Sequence, residues 1–183
     1  MLSSPQAPNS KSVFIFIGPK GSGKSFLGGL LQEHFKIPFL PVEEHIKKQD
    51  IKKDRAVNNE AYIQQVFSFI EELVRKEICK EDFGLSFEST GLTDCFDSML
   101  ESLKKDFRVV TVRVKADPNT CLQRFRSRDQ SLHIPISEEQ IKMINEKVAE
   151  KTTECEFEID NKGSNSKEAL VNELSGILAK LSV

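Results

Sequence analysis

Residues Gly18-Pro-Lys-Gly-Ser-Gly-Lys-Ser25 match the spacing G-x-x-x-x-G-K-[ST] in full. Each residue type in it has a separate physical task. The glycines let successive backbone N–H groups turn inward and form an anion-binding nest. A helix starting at the end of the run aims its positive pole at the same point. Lys24 can reach β- and γ-phosphates as a point charge, and the Ser25 hydroxyl is a hard oxygen ligand for Mg²⁺. Gly18, Pro19, Lys20, Gly21, Ser22, Gly23, Lys24, Ser25 and the following Phe26 therefore read as a seat for a nucleoside triphosphate and Mg²⁺.

Three further groups of residues carry candidate chemistry. Glu88 sits where an acid can hold Mg²⁺ through water or take a proton from an acceptor hydroxyl, beside Ser25. Ser89, Thr90 and Gly91 follow it and offer hydroxyls and a close backbone approach to a substrate. Glu43 and Glu44 are acids that can touch an acceptor, or simply favour the start of a helix. Arg124 and Arg128, four apart, share a helix face, whereas Arg126 points away from it. Two guanidiniums on one face can clamp a transferring phosphoryl group. Arg55 lies in a polar stretch that can cover an acceptor but also reads as charged surface; His133 reads as a loop residue rather than a base.

Elements to position these groups are visible in the pattern. Val13-Phe-Ile-Phe-Ile17 is apolar and rich in β-formers, as a buried parallel strand should be. Leu27, Leu30, Leu31 and Phe35 follow at helical spacing. Ile37–Leu40 is a short second strand candidate, Phe83–Phe87 a third, Phe107–Val114 a fourth and Glu156–Ile159 a fifth at an edge. Helices fill the intervals over residues 58–80, around 96–103, after Asp117-Pro118, from the capping box Ser137–Gln140, and over 170–181. Alternating strands and helices predict an α/β domain, a parallel sheet covered on both faces, with ligands at the carboxyl ends of the strands. Residues 129–136 between the arginines and the capping box form a polar loop that can act as a lid.

Composition narrows the classes. The chain has 183 residues and a formal net charge of −2, which suits one domain and argues against nucleic-acid binding through a broad basic surface. One Tyr and no Trp leave little for base stacking. There is no membrane-length apolar run and no basic-then-apolar signal at the start, where residues 1–11 read as a disordered tail. Cys79, Cys95, Cys121 and Cys155 are scattered, without metal-type spacing, which favours free thiols and a cytoplasmic location. Asp160-Asn-Lys-Gly163 does not match the N-K-x-D guanine reader, so a GTPase is disfavoured.

With its phosphate loop, its size, its strand–loop–helix order and the segment Val114–Arg128, the chain resembles the P-loop small-molecule kinases related to shikimate, gluconate and nucleoside monophosphate kinases. The resemblance runs from Val13 to Leu181 and implies a three-layer αβα sandwich with a five-stranded parallel sheet of order 2-3-1-4-5. It also implies ATP and Mg²⁺, in-line transfer of the γ-phosphoryl group, and a lid, here around 126–137, within a single domain spanning 12–183. The acceptor half departs from the pattern. Where shikimate kinases carry F-x-D-x-D, Phe39-Leu-Pro-Val-Glu43 puts Pro41 at the first acid position and Glu43 at the second, and Glu88-Ser-Thr-Gly91 stands where relatives often carry Asp. The expected activity is ATP-dependent phosphorylation of a small molecule. A nucleoside monophosphate or 5′-hydroxyl polynucleotide kinase, and a nucleotide-binding regulator without turnover, are the alternatives. The acceptor, the oligomeric state and the partner are not legible at this level.

Overall fold

A computed structural model of the chain describes residues 11–49, 59–127, 136–151 and 153–181. The tail residues 1–10, Arg55, Arg128, His133 and the middle of the expected lid, residues 128–135, lie outside them. In chain order the elements are β1 (Ser12–Ile17), α1 (Lys24–Phe35), α2 (Val42–Lys48), α3 (Asn59–Ile78), β2 (Gly84–Ser89), α4 (Asp94–Leu103), β3 (Arg108–Lys115), α5 (Pro118–Ser127), α6 (Glu138–Glu150), β4 (Phe157–Asp160) and α7 (Lys167–Leu181).

The apolar run of β1 occupies the centre of the sheet. It pairs in parallel with β2, where Ile17 stands opposite Ser89, and with β3, where Ile17 stands opposite Arg113. Successive side chains point to opposite faces. Val13, Ile15 and Ile17 join one core with α2, α3 and α4, including Ile46, Val74, Phe96 and Leu103. Phe14 and Phe16 join the other with α1 and α7, including Leu27, Leu31, Leu170 and Leu174. A strand buried on both sides has no polar face to present, which is why β1 reads as a continuous apolar run rather than an alternation.

The described sheet has four strands in the order β2-β1-β3-β4, not the five expected. The missing one is the segment at 37–40, reduced to a single parallel bridge between Phe39 and Ser86 on the outer side of β2. Its neighbours explain the truncation. Ser86 N–H donates to Pro38 O and Leu40 N–H to Ser86 O, each at 2.7 Å, so residues 38 and 40 face β2. On one side of that pair Pro38 has no N–H to donate. On the other, Val42 N–H turns back onto Leu40 O at 2.9 Å as the chain enters α2, so the next ladder groups close on each other. Several local signals do produce the expected elements. Thr120 N–H meets Asp117 Oδ1 at 2.9 Å at the start of α5, and Ser137 and Gln140 form a reciprocal capping box on α6.

Candidate active site at the phosphate loop

The loop 18–23 leaves the carboxyl end of β1 and enters α1 at Lys24. Gly21 (φ 85°) and Gly23 (φ 94°) hold left-handed backbone. A Cβ would stand 2.3 Å from Cys121 O at the first and 2.2 Å from Asn161 Nδ2 at the second, so neither position admits a side chain. Gly23 caps α1 without a side chain, and the first turn carries no acid. The leading N–H groups of that helix are therefore left for an anion.

Lys24 is buried, and its amine donates to Gly18 O at 3.0 Å and to Pro19 O at 2.7 Å. Burial lowers its pKa most strongly; the Glu88 charge opposes that, and Lys20 reinforces it. Ser25 Oγ donates to the Glu88 carboxylate, 2.9 Å from each oxygen. A hydroxyl and a carboxylate side by side are an all-oxygen donor set, which fits Mg²⁺ held by one or two protein groups and completed by phosphate and water. Among the described residues no three His, Cys, Asp or Glu side chains form a metal cage, so phosphate oxygens would have to supply the rest.

Two supports brace the loop. Lys20 Nζ pairs with Glu43 at 2.9 Å. The Lys20 backbone is gripped on both sides by Asn145 of α6: its N–H donates to Asn145 Oδ1 at 2.8 Å, and Asn145 Nδ2 donates to Lys20 O at 3.0 Å. On the other flank, Arg124 of α5 donates to Ser22 O at 3.2 Å and, more weakly, to Asn161 O and Oδ1 at 3.4 Å. Asn161 Nδ2 adds a bond to Ser22 O at 2.8 Å. Ser22 Oγ, fully buried, has no hydrogen-bond partner among the described residues.

These groups surround a cleft of about 250 Å³ whose wall includes Lys20, Lys24, Ser25, Glu43, Glu88, Ser89, Thr90 and Arg124. Most residues singled out from the sequence thus meet at one place. Gly91 lies just behind, in left-handed backbone with its N–H bonded to Ser89 Oγ at 3.1 Å. Glu44 is half-buried on the first turn of α2, and Phe26 is 51% exposed on the first turn of α1. Arg126 turns away and pairs with Glu138. Asn145 and Asn161 were not singled out by the sequence. A lone Asn within a helix carries no signal of its own, and Asn161 lies in the tetrapeptide noticed only for failing to match a guanine reader.

No protein-family model matches the chain, and no curated protein matches it in sequence. Solved structures share its fold. Shikimate kinase from Aquifex aeolicus superposes with a TM-score of 0.60 at 22% identity, covering 93% of this chain and 98% of that one. Shikimate kinase from Bacteroides thetaiotaomicron gives a TM-score of 0.67 at 16% identity, covering 92% and 98%. The APS kinase of Mycobacterium tuberculosis, solved with AMPPNP and APS, gives 0.58 at 13% identity, covering 94% and 99%. The fold is that of the P-loop kinases, and no described helix is long and apolar enough to cross a membrane.

Proposed function

We propose that the chain is an ATP-dependent phosphotransferase that moves the γ-phosphoryl group of ATP to a small-molecule acceptor, acting in the cytoplasm. The observation that carries the reading is the Ser25–Glu88 contact at 2.9 Å beside buried Lys24, at the uncapped start of α1. In this reading Lys24 exchanges the carbonyls of Gly18 and Pro19 for β- and γ-phosphate oxygens, which restores a full negative partner to a desolvated ammonium. The glycine-loop N–H groups and Phe26 flank the nucleotide. Ser25 and Glu88 would hold Mg²⁺, which when bound offsets charge on the bridging and terminal phosphate oxygens. In this reading Glu88 supports the metal or takes the acceptor proton. Arg128, with Arg124, is assigned to the charge on the transferring group, and Arg124 also braces the loop from α5. Glu43, Arg55, Ser89, Thr90 and Gly91 are assigned to the acceptor side. The domain spans 12–183, with the lid around 126–137.

The test is γ-phosphoryl transfer from labelled ATP with Mg²⁺ to a panel of sugars, sugar acids, nucleoside monophosphates, cofactor precursors and 5′-hydroxyl oligonucleotides. Lys24→Ala should cut turnover by at least about a hundredfold, the scale on which one transition-state charge contact acts, while the chain stays folded. Near-normal turnover in that folded variant would sink the assignment. Pro41 in place of an acid on the acceptor side favours a second reading, a nucleotide-binding regulator. Tight ATP binding without transfer to any member of the panel would select it.

A further inference from the structure

A second cavity, of about 660 Å³, lies between α5 and α6 above the carboxyl ends of β1 and β3. It is within the size range of small-molecule sites, and the phosphate cleft of about 250 Å³ is not. Its walls combine an apolar body with charged groups at the edges. Ile17, Val114, Leu122, Ile141 and Val148 form the body, with Ala149 at the rim. The two spaces adjoin: Thr90 lines both, and Asn145, in the wall of the large one, grips the backbone of Lys20, in the wall of the small one.

The charges on this cavity are unbalanced. Arg113, Lys115, Lys142 and Lys151 reach its wall, against Glu146 and Asp160. Lys115 and Lys151 are paired, with Glu158 and Asp97. Asp160 is paired with Lys162. Arg113 is half-buried; it donates to the carbonyl of Thr153 and faces the Cys155 thiol, and it forms no ion pair with a carboxylate among the described residues. Lys142 is exposed, beside Glu138 and Glu139 one turn earlier on α6. A half-buried guanidinium that meets only neutral partners favours an arriving anion.

We propose that this cavity seats the phosphoryl acceptor, and that the acceptor is a compact organic anion with an apolar body and one hydroxyl, rather than a polyol. The inference rests on the phosphotransferase reading and names its substrate class. The apolar body packs under α6, the anionic group meets Arg113, and the hydroxyl passes Thr90 into the cleft, where Glu43 and Ser89 line its approach. There its oxygen forms a bond to the γ-phosphorus as the bond to the β-phosphate oxygen breaks. Its proton goes to Glu88, and the products are ADP and a phosphate monoester.

The experiment separates the cavity from the chemistry. The full chain is titrated with 1-anilinonaphthalene-8-sulfonate, an apolar ring system with one anionic group. One saturable site is expected, weakened at least tenfold in Ala149→Trp, which fills the cavity from its exposed rim, and in Leu122→Trp, which fills it from α5. The dye should be displaced by 4-(hydroxymethyl)benzoate and not by gluconate. Transfer to whichever panel member accepts phosphate should fall at least tenfold in both Trp variants, while methylanthraniloyl-ATP still binds. Unchanged dye affinity in both folded variants, or displacement by gluconate in preference, overturns the proposal. Transfer abolished by Lys24→Ala but retained in both Trp variants also overturns it and leaves the phosphotransferase reading standing. Dye binding that obeys the cavity variants in a wild-type chain that binds no nucleotide overturns the phosphotransferase reading, and the acceptor role with it.

Discussion

Lys24 carries an electrostatic cost at the site. Its amine is buried against carbonyl oxygens, and desolvation lowers its pKa despite the nearby Glu88. The unfolded chain therefore holds that proton more tightly than the folded one. The cost is full below the lowered folded value and is relieved as pH rises from there toward the ordinary lysine range. Compared with Lys24→Met, the wild-type chain should gain relative stability on going alkaline, measured as the difference in urea midpoints; a flat difference would mean that the amine is not desolvated. Glu88 makes a different prediction. Glu88→Gln keeps the shape but weakens the oxygen donor beside Ser25, so the Mg²⁺ concentration for half-maximal AMPPNP binding should rise about tenfold, for a loss of about 1.4 kcal/mol. An unchanged Mg²⁺ dependence would remove Glu88 from the metal site. Glu88 was legible because an acid at the carboxyl end of a sheet strand faces the ligand side. Asn145 was not, because its partner is 125 residues away and its own neighbourhood is ordinary helix.

At the level of elements, α1 shows how a helix can carry a loop and a packing surface at once. Gly28 faces the ring of Phe39, which a Cβ would approach to 2.1 Å, whereas nothing lies within 4 Å of a Cβ at Gly29. Gly28→Ala should therefore lose up to about 2 kcal/mol, overpacking of about 1–3 kcal/mol set against a helix-propensity gain of about 1 kcal/mol. Gly29→Ala should gain about 0.5–1 kcal/mol. Chemical denaturation of both variants checks the sign, and equal shifts would mean that the Phe39 ring moves aside freely. The same contact belongs to the segment that the periodicity reads as a strand. Its apolar residues at 37, 39 and 40 are real strand signals, but Pro38 lacks the N–H for one end of a ladder and Val42 N–H closes on Leu40 O at the other. The capping box of α6 was legible because both partners lie within one turn.

For the whole molecule, the two packed faces of β1 provide a stiff base from which the phosphate loop, Glu88 and α5 project to one end. A nucleotide that binds only this arrangement stabilises it by mass action, by about 2.7 kcal/mol at a hundredfold excess over Kd. Magnesium and AMPPNP should raise the unfolding midpoint of the wild-type chain accordingly and leave that of Lys24→Ala where it was. A shift that survives in the variant would place the nucleotide elsewhere. The amino-acid sequence by itself determined the phosphate loop, the buried central strand, the helices with local caps and the α/β order, because each is written in residues within a few turns of one another. The tertiary structure alone decided that Arg124 braces Ser22, that Asn145 holds Lys20 under α6, and that a largely apolar cavity with Arg113 in its wall adjoins the cleft at Thr90. Those features arise where separate elements meet, and their geometry depends on how two cores pack against one sheet rather than on any local pattern.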